Sequence, residues 1–222
     1  MGKGLFVTAT GTDTGKTYVT ALMVKKLKEA GYSSGYYKAA LSGADSIKES
    51  DAGYVKKISG ISQKNETLLS YLYKNAVSPH LAARIEGDPV DLKKVREDYL
   101  RVLEEHDYVT VEGSGGIVCP IRWDNEQKIL LEDVIKTLEL GAVIIADAGL
   151  GTINAAVLTA EYLRSRGIEV RGVILNRYSG GIMQEDNRRM IEELAGVPVA
   201  ACVGCGAGEL DLEADKLAAI YK

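Results

Sequence analysis

Histidine and cysteine are scarce in this chain of 222 residues: it has two of the first, His80 and His106, and three of the second, Cys119, Cys202 and Cys205. Cys202-Val-Gly-Cys205 has the spacing of half a zinc site or of a redox pair, but no second pair completes a tetrahedral set, and ordinary thiols at a strand end are the simpler reading. An odd cysteine count does not build a disulfide framework and suits a reducing compartment. No run approaches the roughly 20 apolar residues that would span a bilayer. Leu5-Phe6-Val7 is too short for the apolar region of a secretory leader. Gly2 meets one requirement for myristoylation, but Phe6 stands where Ser or Thr is wanted. The chain is therefore expected in the cytosol. Basic residues do not predominate either: 27 Lys and Arg face 31 Asp and Glu, a formal net charge of −4. That balance argues against nucleic acid and against an anionic membrane as partners, since both call for clustered cations. No repeat, linker or low-complexity segment divides the sequence. With 46% hydrophobic and 26% charged residues, residues 1–222 read as a single globular domain, long enough to bury a core without disulfides or structural metal.

Short apolar runs alternate with longer amphipathic stretches. Leu5–Ala9, Gly35–Ala39, Tyr108–Val111, Ala142–Ala146, Val170–Leu175 and Pro198–Val203 read as strands. Lys16–Ala30, Asp51–Ile58, Asp91–His106, Leu131–Leu140, Thr152–Arg166, Gln184–Ala195 and Leu212–Tyr221 read as helices, with Val19, Leu22, Met23 and Leu27 on one face of the first. The stretch between Ser59 and Pro79 reads as a flexible region. Val143-Ile-Ile-Ala146 and Val173-Ile-Leu175 are continuous rather than alternating, the mark of strands covered on both faces. The expected fold is a doubly wound α/β domain, a mostly parallel sheet flanked by helices, in which ligands sit at the carboxyl ends of the strands.

The loops after the strands therefore carry the chemistry. Ala9-Thr-Gly-Thr-Asp-Thr-Gly15-Lys16-Thr17 joins the first strand to the first helix. Such a loop turns backbone N–H groups toward phosphate oxygens, and the helix N-terminus adds a favourable dipole. Lys16 would neutralise the β- and γ-phosphates, and the Thr17 hydroxyl would face Mg²⁺. The general P-loop has Gly five positions before Gly15, where this chain has Thr10. After the second strand comes Lys38-Ala-Ala-Leu-Ser42-Gly43, whose lysine would be a second cation beside the γ-phosphate. Asp51 opens the next helix, either as its N-cap or as a metal-facing carboxylate. Glu112 ends an apolar strand before Gly-Ser-Gly-Gly116, and Thr17, Asp51 and Glu112 together supply the oxygen donors Mg²⁺ prefers. Gly149-Leu-Gly151-Thr-Ile-Asn154 either receives an anion at a helix start or simply connects strand to helix. Asn176 ends a strand and offers both donor and acceptor to a base edge.

In order and spacing these segments, with Ser50-Asp51-Ala52 and Ser78-Pro79-His80, resemble the dethiobiotin synthetase family along essentially the whole chain. That family's loop is one residue longer than the general P-loop ahead of Gly-Lys-Thr, and Ala9 stands where it commonly has Gly. The resemblance implies an ATP- and Mg²⁺-dependent cyclo-ligase of biotin biosynthesis acting on 7,8-diaminopelargonic acid and CO₂. It implies that Asp13, Thr14, Gly15, Lys16, Thr17, Tyr18 and Asn176 hold the nucleotide, and that Lys16 and Lys38 stabilise the transferring phosphoryl group. Thr12 and Ser42 would orient the carbamate, Gly115 and Gly116 would shape the diamine pocket, and Thr17, Asp51 and Glu112 would bind metal. Leu150, Gly151, Thr152 and Asn154 would bind the substrate's distant carboxylate across a homodimer interface. Ala39 replaces a common Pro and Ala155 a frequent His. Val203-Gly-Cys205-Gly-Ala207 departs from the family's Leu-Gly-x-Ile-Pro, which borders the base and leaves base preference open.

Two other readings compete. An amidoligase of the cobyrinic acid diamide synthase type shares this P-loop style but usually carries a glutaminase domain for which the chain has no room. A nucleotide switch of the partitioning-ATPase type carries a signature lysine where this chain has Gly11, and has no need of Lys38-x-x-x-Ser42.

Overall fold

The computed structural model describes residues 2–222. In chain order the elements are β1 (Lys3–Ala9), α1 (Lys16–Glu29), β2 (Ser34–Ser42), α2 (Asp51–Ser59), β3 (Leu69–Tyr73), α3 (Pro79–Glu86), α4 (Leu92–Glu105) and β4 (Tyr108–Glu112). There follow β5 (Pro120–Trp123), β6 (Lys128–Leu130), α5 (Leu131–Thr137), β7 (Ala142–Asp147), α6 (Thr152–Ser165), β8 (Val170–Asn176), α7 (Ile182–Ala195), β9 (Val199–Val203) and α8 (Ala214–Ala219).

The continuous apolar runs are explained by what lies on each side of them. Along β1, Leu5, Val7 and Ala9 pack with Leu22 and Met23 of α1 and Leu217 of α8, while Phe6 points the other way into a cluster with Ile135, Leu163 and Ile191. β7 divides likewise, Val143 and Ile145 to the α1 side and Ala142, Ile144 and Ala146 to the other. Each large side chain so buried contributes about 1.5–3 kcal/mol, and a strand wet on one face would not need every position apolar. Seven strands form one sheet in the order β3-β2-β4-β1-β7-β8-β9, and all its pairings are parallel. β5 and β6 form a separate antiparallel hairpin. The expected doubly wound α/β sheet is the observed one, and its parallel strands bring the carboxyl ends of β1, β2, β4, β7 and β8 to one edge.

Four expectations need correction. The stretch between Ser59 and Pro79 contains β3, an edge strand with alternating burial that pairs with β2 on one side only. Its Tyr71 and Tyr73 are buried, yet Ser70 and the lysines around it hide the pattern. β2 does not stop at Ala39 but runs to Ser42, so Lys38 lies within the strand, paired with Leu69. α5 closes at Thr137, short of Leu140, because Glu139 takes a left-handed backbone with φ 56°. The last helix covers only Ala214–Ala219.

Among the described residues no helix is long and apolar enough to cross a membrane.

Candidate functional site

At the carboxyl edge a cleft of about 590 Å³ opens between the loop after β1, the end of β2, the turn Ser114–Gly116 and the chain leading into the hairpin. Thr12, Asp13, Gly15, Lys16, Thr17, Lys38, Ser42, Asp51, Gly115 and Gly116 all line it.

The geometry begins with strand parity. Successive residues of a strand face opposite sides, so Tyr36 and Lys38 of β2 share a face, and Thr110 and Glu112 of β4 share one. The register Tyr36↔Thr110 in β2–β4 and Val7↔Glu112 in β1–β4 sets these residues beside the first turn of α1. Glu112 is essentially buried, with 1% of its surface exposed. Its Oε1 accepts the Thr17 hydroxyl at 2.7 Å and the Lys38 ammonium at 3.2 Å, and lies 3.6 Å from Lys16 Nζ. Lys38, 3% exposed, also donates to Asp51 Oδ2 at 2.6 Å. The cluster thus holds two ammonium and two carboxylate groups in balance, and removing one partner of such a buried pair strands the other at a cost of about 3–5 kcal/mol.

The two lysines respond differently to this setting. Burial pushes the Lys16 ammonium below the ordinary lysine range, and Glu112 offsets only part of that. Burial acts the same way on Lys38, but Glu112 and Asp51 together outweigh it and hold its pKa above the ordinary value. Burial would raise the Asp51 carboxyl, yet Lys38, reinforced by Lys16 and Thr17, keeps it below the usual carboxylate range. Asp51 is not the N-cap of α2: that role falls to Ser50, whose side chain accepts from the Gly53 N–H, leaving Asp51 free to turn toward Lys38.

The loop before α1 is shaped by Gly15, the N-cap, in a left-handed conformation with φ 85° and no side-chain cap. The first turn of α1 carries no acidic residue, so its unpaired N–H groups face the cleft undiminished. Asp13 is also left-handed, with φ 61°. Two residues from β8 and its end hold this loop. Asn176, 4% exposed, donates one amide N–H to the Thr14 carbonyl at 2.8 Å, which leaves its second N–H and its oxygen to offer a base. Arg177 donates to the Asp13 carbonyl and, at 2.7 Å, to Asp147 at the end of β7. Tyr18 ties α1 to the chain after β9 through a hydrogen bond to the Ala207 carbonyl.

On the far side of the cleft the Ser42 hydroxyl donates to the Val77 carbonyl at 2.6 Å, and Ser114 donates to the Ala40 carbonyl at 2.8 Å, fixing the glycine turn against β2. Gly115 and Gly116 approach Thr12 and Gly11 of the nucleotide loop. Leu150, Gly151, Thr152 and Asn154 are not brought into this cleft; Leu150 is 92% exposed, and Thr152 is buried with its hydroxyl unpartnered.

The arrangement therefore offers backbone donors and two cations to a polyphosphate, with hard oxygen donors beside them. The Asp147–Arg177 pair was missed by sequence reasoning. The signal was present, since Asp147 ends an apolar strand as Glu112 does.

Gly15→Ala places a methyl group 2.1 Å from the Asn176 amide nitrogen on a left-handed backbone. The backbone alone costs about 1–2 kcal/mol, so urea denaturation should show at least that loss, with ATP affinity by calorimetry down about tenfold. Gly11→Ala, which meets nothing within 4 Å, should melt as the wild type does; equal stability of the two variants would contradict this account of the loop.

A family model described as AAA domain matches residues 3–205. The ATP-dependent dethiobiotin synthetase BioD of Brachyspira hyodysenteriae is 55% identical over 212 residues, covering 95% of this chain and 96% of that one. The ATP-dependent dethiobiotin synthetase BioD of Clostridium botulinum (strain 657 / Type Ba4) is 45% identical over 227 aligned positions, covering 100% of this chain and 99% of its own. Among solved structures, MinD from the MinC:MinD cell division complex of Aquifex aeolicus superposes with a TM-score of 0.59 at 14% identity, over 98% of this chain and 93% of that one. A ParA family ATPase from Chlorobium tepidum gives 0.55 at 14% identity, over 91% of this chain and 84% of that one. At that identity the likeness concerns the fold alone, whereas the synthetase relatives match along the whole length. The chain belongs to the dethiobiotin synthetase family.

Proposed function

We propose that residues 1–222 act as one ATP-dependent dethiobiotin synthetase domain, closing a cyclic urea from 7,8-diaminopelargonic acid and CO₂ with hydrolysis of ATP to ADP and phosphate. The observation that carries the site assignment is Lys38, buried beside the nucleotide loop and flanked by Asp51 and Glu112. A switch that only hydrolyses nucleotide has no need of this second cation.

One amine adds to CO₂ and loses a proton, giving a carbamate. A carbamate oxygen attacks the γ-phosphorus and ADP leaves, forming a mixed carbamic–phosphoric anhydride. The second amine attacks the carbonyl carbon, phosphate departs with the C–O electron pair, and the ureido ring closes. Negative charge moves between oxygens at each step, so fixed cations are what the site must supply. Lys16 meets the β- and γ-phosphates with the N–H groups of Gly15, Thr17 and Tyr18, while Asp13 and Thr14 shape the loop around them. An ammonium has three donors; Lys38 spends two on Asp51 and Glu112, leaving one for the transferring group. Thr12 and Ser42 orient the carbamate, and Gly115 and Gly116 leave room for the diamine. Asn176 offers the base its oxygen and its remaining N–H.

Thr17, Asp51 and Glu112 suit Mg²⁺ on this structure's own terms. All are hard oxygen donors, they adjoin one another, and the space between the carboxylates already accommodates a cation, the Lys38 ammonium. When bound, the ion neutralises charge on the β- and γ-phosphate oxygens.

The same reading makes the protein a cytosolic homodimer in which Leu150, Gly151, Thr152 and Asn154 of one protomer receive the substrate carboxylate in the partner's cleft. Supporting it, this loop lies outside the chain's own cleft, and Leu150, Leu158 and Ile182 are 92%, 61% and 93% exposed. All three cysteines are free, as suits a reducing compartment.

With ATP, Mg²⁺ and bicarbonate, phosphate release should depend on the diamine and fall by about a hundredfold or more in Lys38→Ala, the loss of a charge-stabilising contact. Slow release indifferent to the diamine would sink the assignment. Sedimentation should give a dimer of the 23.9 kDa chain, with Leu150→Asp dissociating it and abolishing diamine-dependent release; a fully active monomer would contradict the shared site.

A further inference from the structure

The two oxygens of Glu112 face different company. Oε1 is turned to Thr17, Lys38 and Lys16, the groups the reaction uses. Oε2 accepts one hydrogen bond, from the phenol of Tyr36 at 3.0 Å. No surface of Tyr36 is exposed, and it plays no part in the chemistry described above. We propose that Tyr36 is a positioning residue for the metal–nucleotide site, anchoring Glu112 through Oε2 so that Oε1 is presented to Thr17 and Lys38. The inference rests on the reading of Glu112 as a metal-facing group and deepens it.

The physical need for an anchor follows from the side chain. The last torsion of a glutamate is broad and roughly twofold, so a carboxylate held at one oxygen swings and exchanges its oxygens. A donor on the opposite oxygen stops that motion. The donor must itself be fixed, and Tyr36 is fixed at its backbone by a device of this chain's own. β3 begins to pair with β2 only at Lys38↔Leu69, which leaves the edge of β2 at Tyr36 without a neighbouring strand. The side chain of Gln63 fills the gap: its Oε1 accepts the Tyr36 N–H at 2.8 Å, and its Nε2 donates to the Tyr36 carbonyl at 2.9 Å. Gln63 is buried and is held in turn by the Thr67 hydroxyl at 3.1 Å. The Tyr36 ring packs with Ala21 and Val24 of α1 and Ala52 and Val55 of α2, the two helices that carry Thr17 and Asp51. Packing alone does not call for a hydroxyl here, since phenylalanine fills the same space.

That difference supplies the test. Tyr36→Phe removes the hydroxyl and keeps the ring. Mn²⁺ binding to the ADP-loaded chain is followed by electron paramagnetic resonance, and ADP affinity is measured separately in EDTA. The expected result is Mn²⁺ affinity about tenfold weaker, in line with loss of a hydrogen bond to a charged group, with metal-free ADP affinity retained. Gln63→Met, which loosens Tyr36 without touching the site, shifts Mn²⁺ affinity the same way and carries the test if Tyr36→Phe does not fold. Unchanged Mn²⁺ affinity overturns the proposal. So does a parallel loss of metal-free ADP affinity and melting temperature, which would make Tyr36 a packing residue only. A wild-type chain that binds no Mn²⁺ with ADP overturns the metal-facing reading of Glu112 itself, and is distinguishable because it appears before any variant is made.

Discussion

A single buried carboxylate, Glu112, decides how this site is built. It is almost wholly removed from water, where a charge without partners is costly. It persists because Thr17, Lys38 and Tyr36 donate to it and Lys16 lies close by. These groups come from two elements, the first turn of α1 and the strand β2, so the need to satisfy one carboxylate of β4 draws together the parts that a phosphoryl-transfer site requires. Asp51 then balances the second lysine and joins α2 to the same cluster.

The parallel sheet makes such a convergence possible. Adjacent parallel strands deliver their carboxyl ends to one edge, and parity decides which side chains face α1. Shifting β2 by one residue against β4 would turn Lys38 into the opposite layer and replace it with Tyr37 or Ala39. The register is therefore as much a part of the chemistry as the residue types. The loop held by Asn176 and Arg177 shows the same economy from the other half of the sheet: the end of β8 braces the loop after β1, although more than 160 residues separate them in sequence.

Much of this was legible before any coordinates. The continuous apolar runs of β7 and β8 declare a sheet covered on both faces, and Gly15-Lys16-Thr17 between a strand and an amphipathic helix declares a phosphate loop. Lys38, Asp51 and Glu112 could be singled out from their places near strand and helix ends, and the fold brings both carboxylates within hydrogen-bonding distance of Lys38. What stayed hidden has physical reasons. β3 is a short edge strand whose serine and lysine neighbours blur its alternation. The hairpin β5–β6 has strands of only four and three residues, too short for the alternation that buries Ile121 and Ile129 to stand out in the sequence. Ser50, not Asp51, caps α2, and both residue types are good caps, so local chemistry could not choose between them. Tyr36, Gln63 and the Asp147–Arg177 pair act through partners distant in sequence, which composition and spacing do not reveal.

The central claim is that Glu112 sets the charge state and placement of both lysines, and NMR titration of the lysine ¹³Cε signals in the wild type and Glu112→Gln reads it directly. A folded-state pKa raised above the ordinary value means the ammonium persists to higher pH, so the stability it confers is present at neutral pH and is lost only as pH rises through that raised pKa. In the wild type Lys38 should titrate above the ordinary lysine range and Lys16 below it; with Gln at 112 both should move down, because a neutral amide no longer offsets their burial. A Lys38 that titrates at or below the ordinary value in the wild type, or that does not move in Glu112→Gln, would contradict the account.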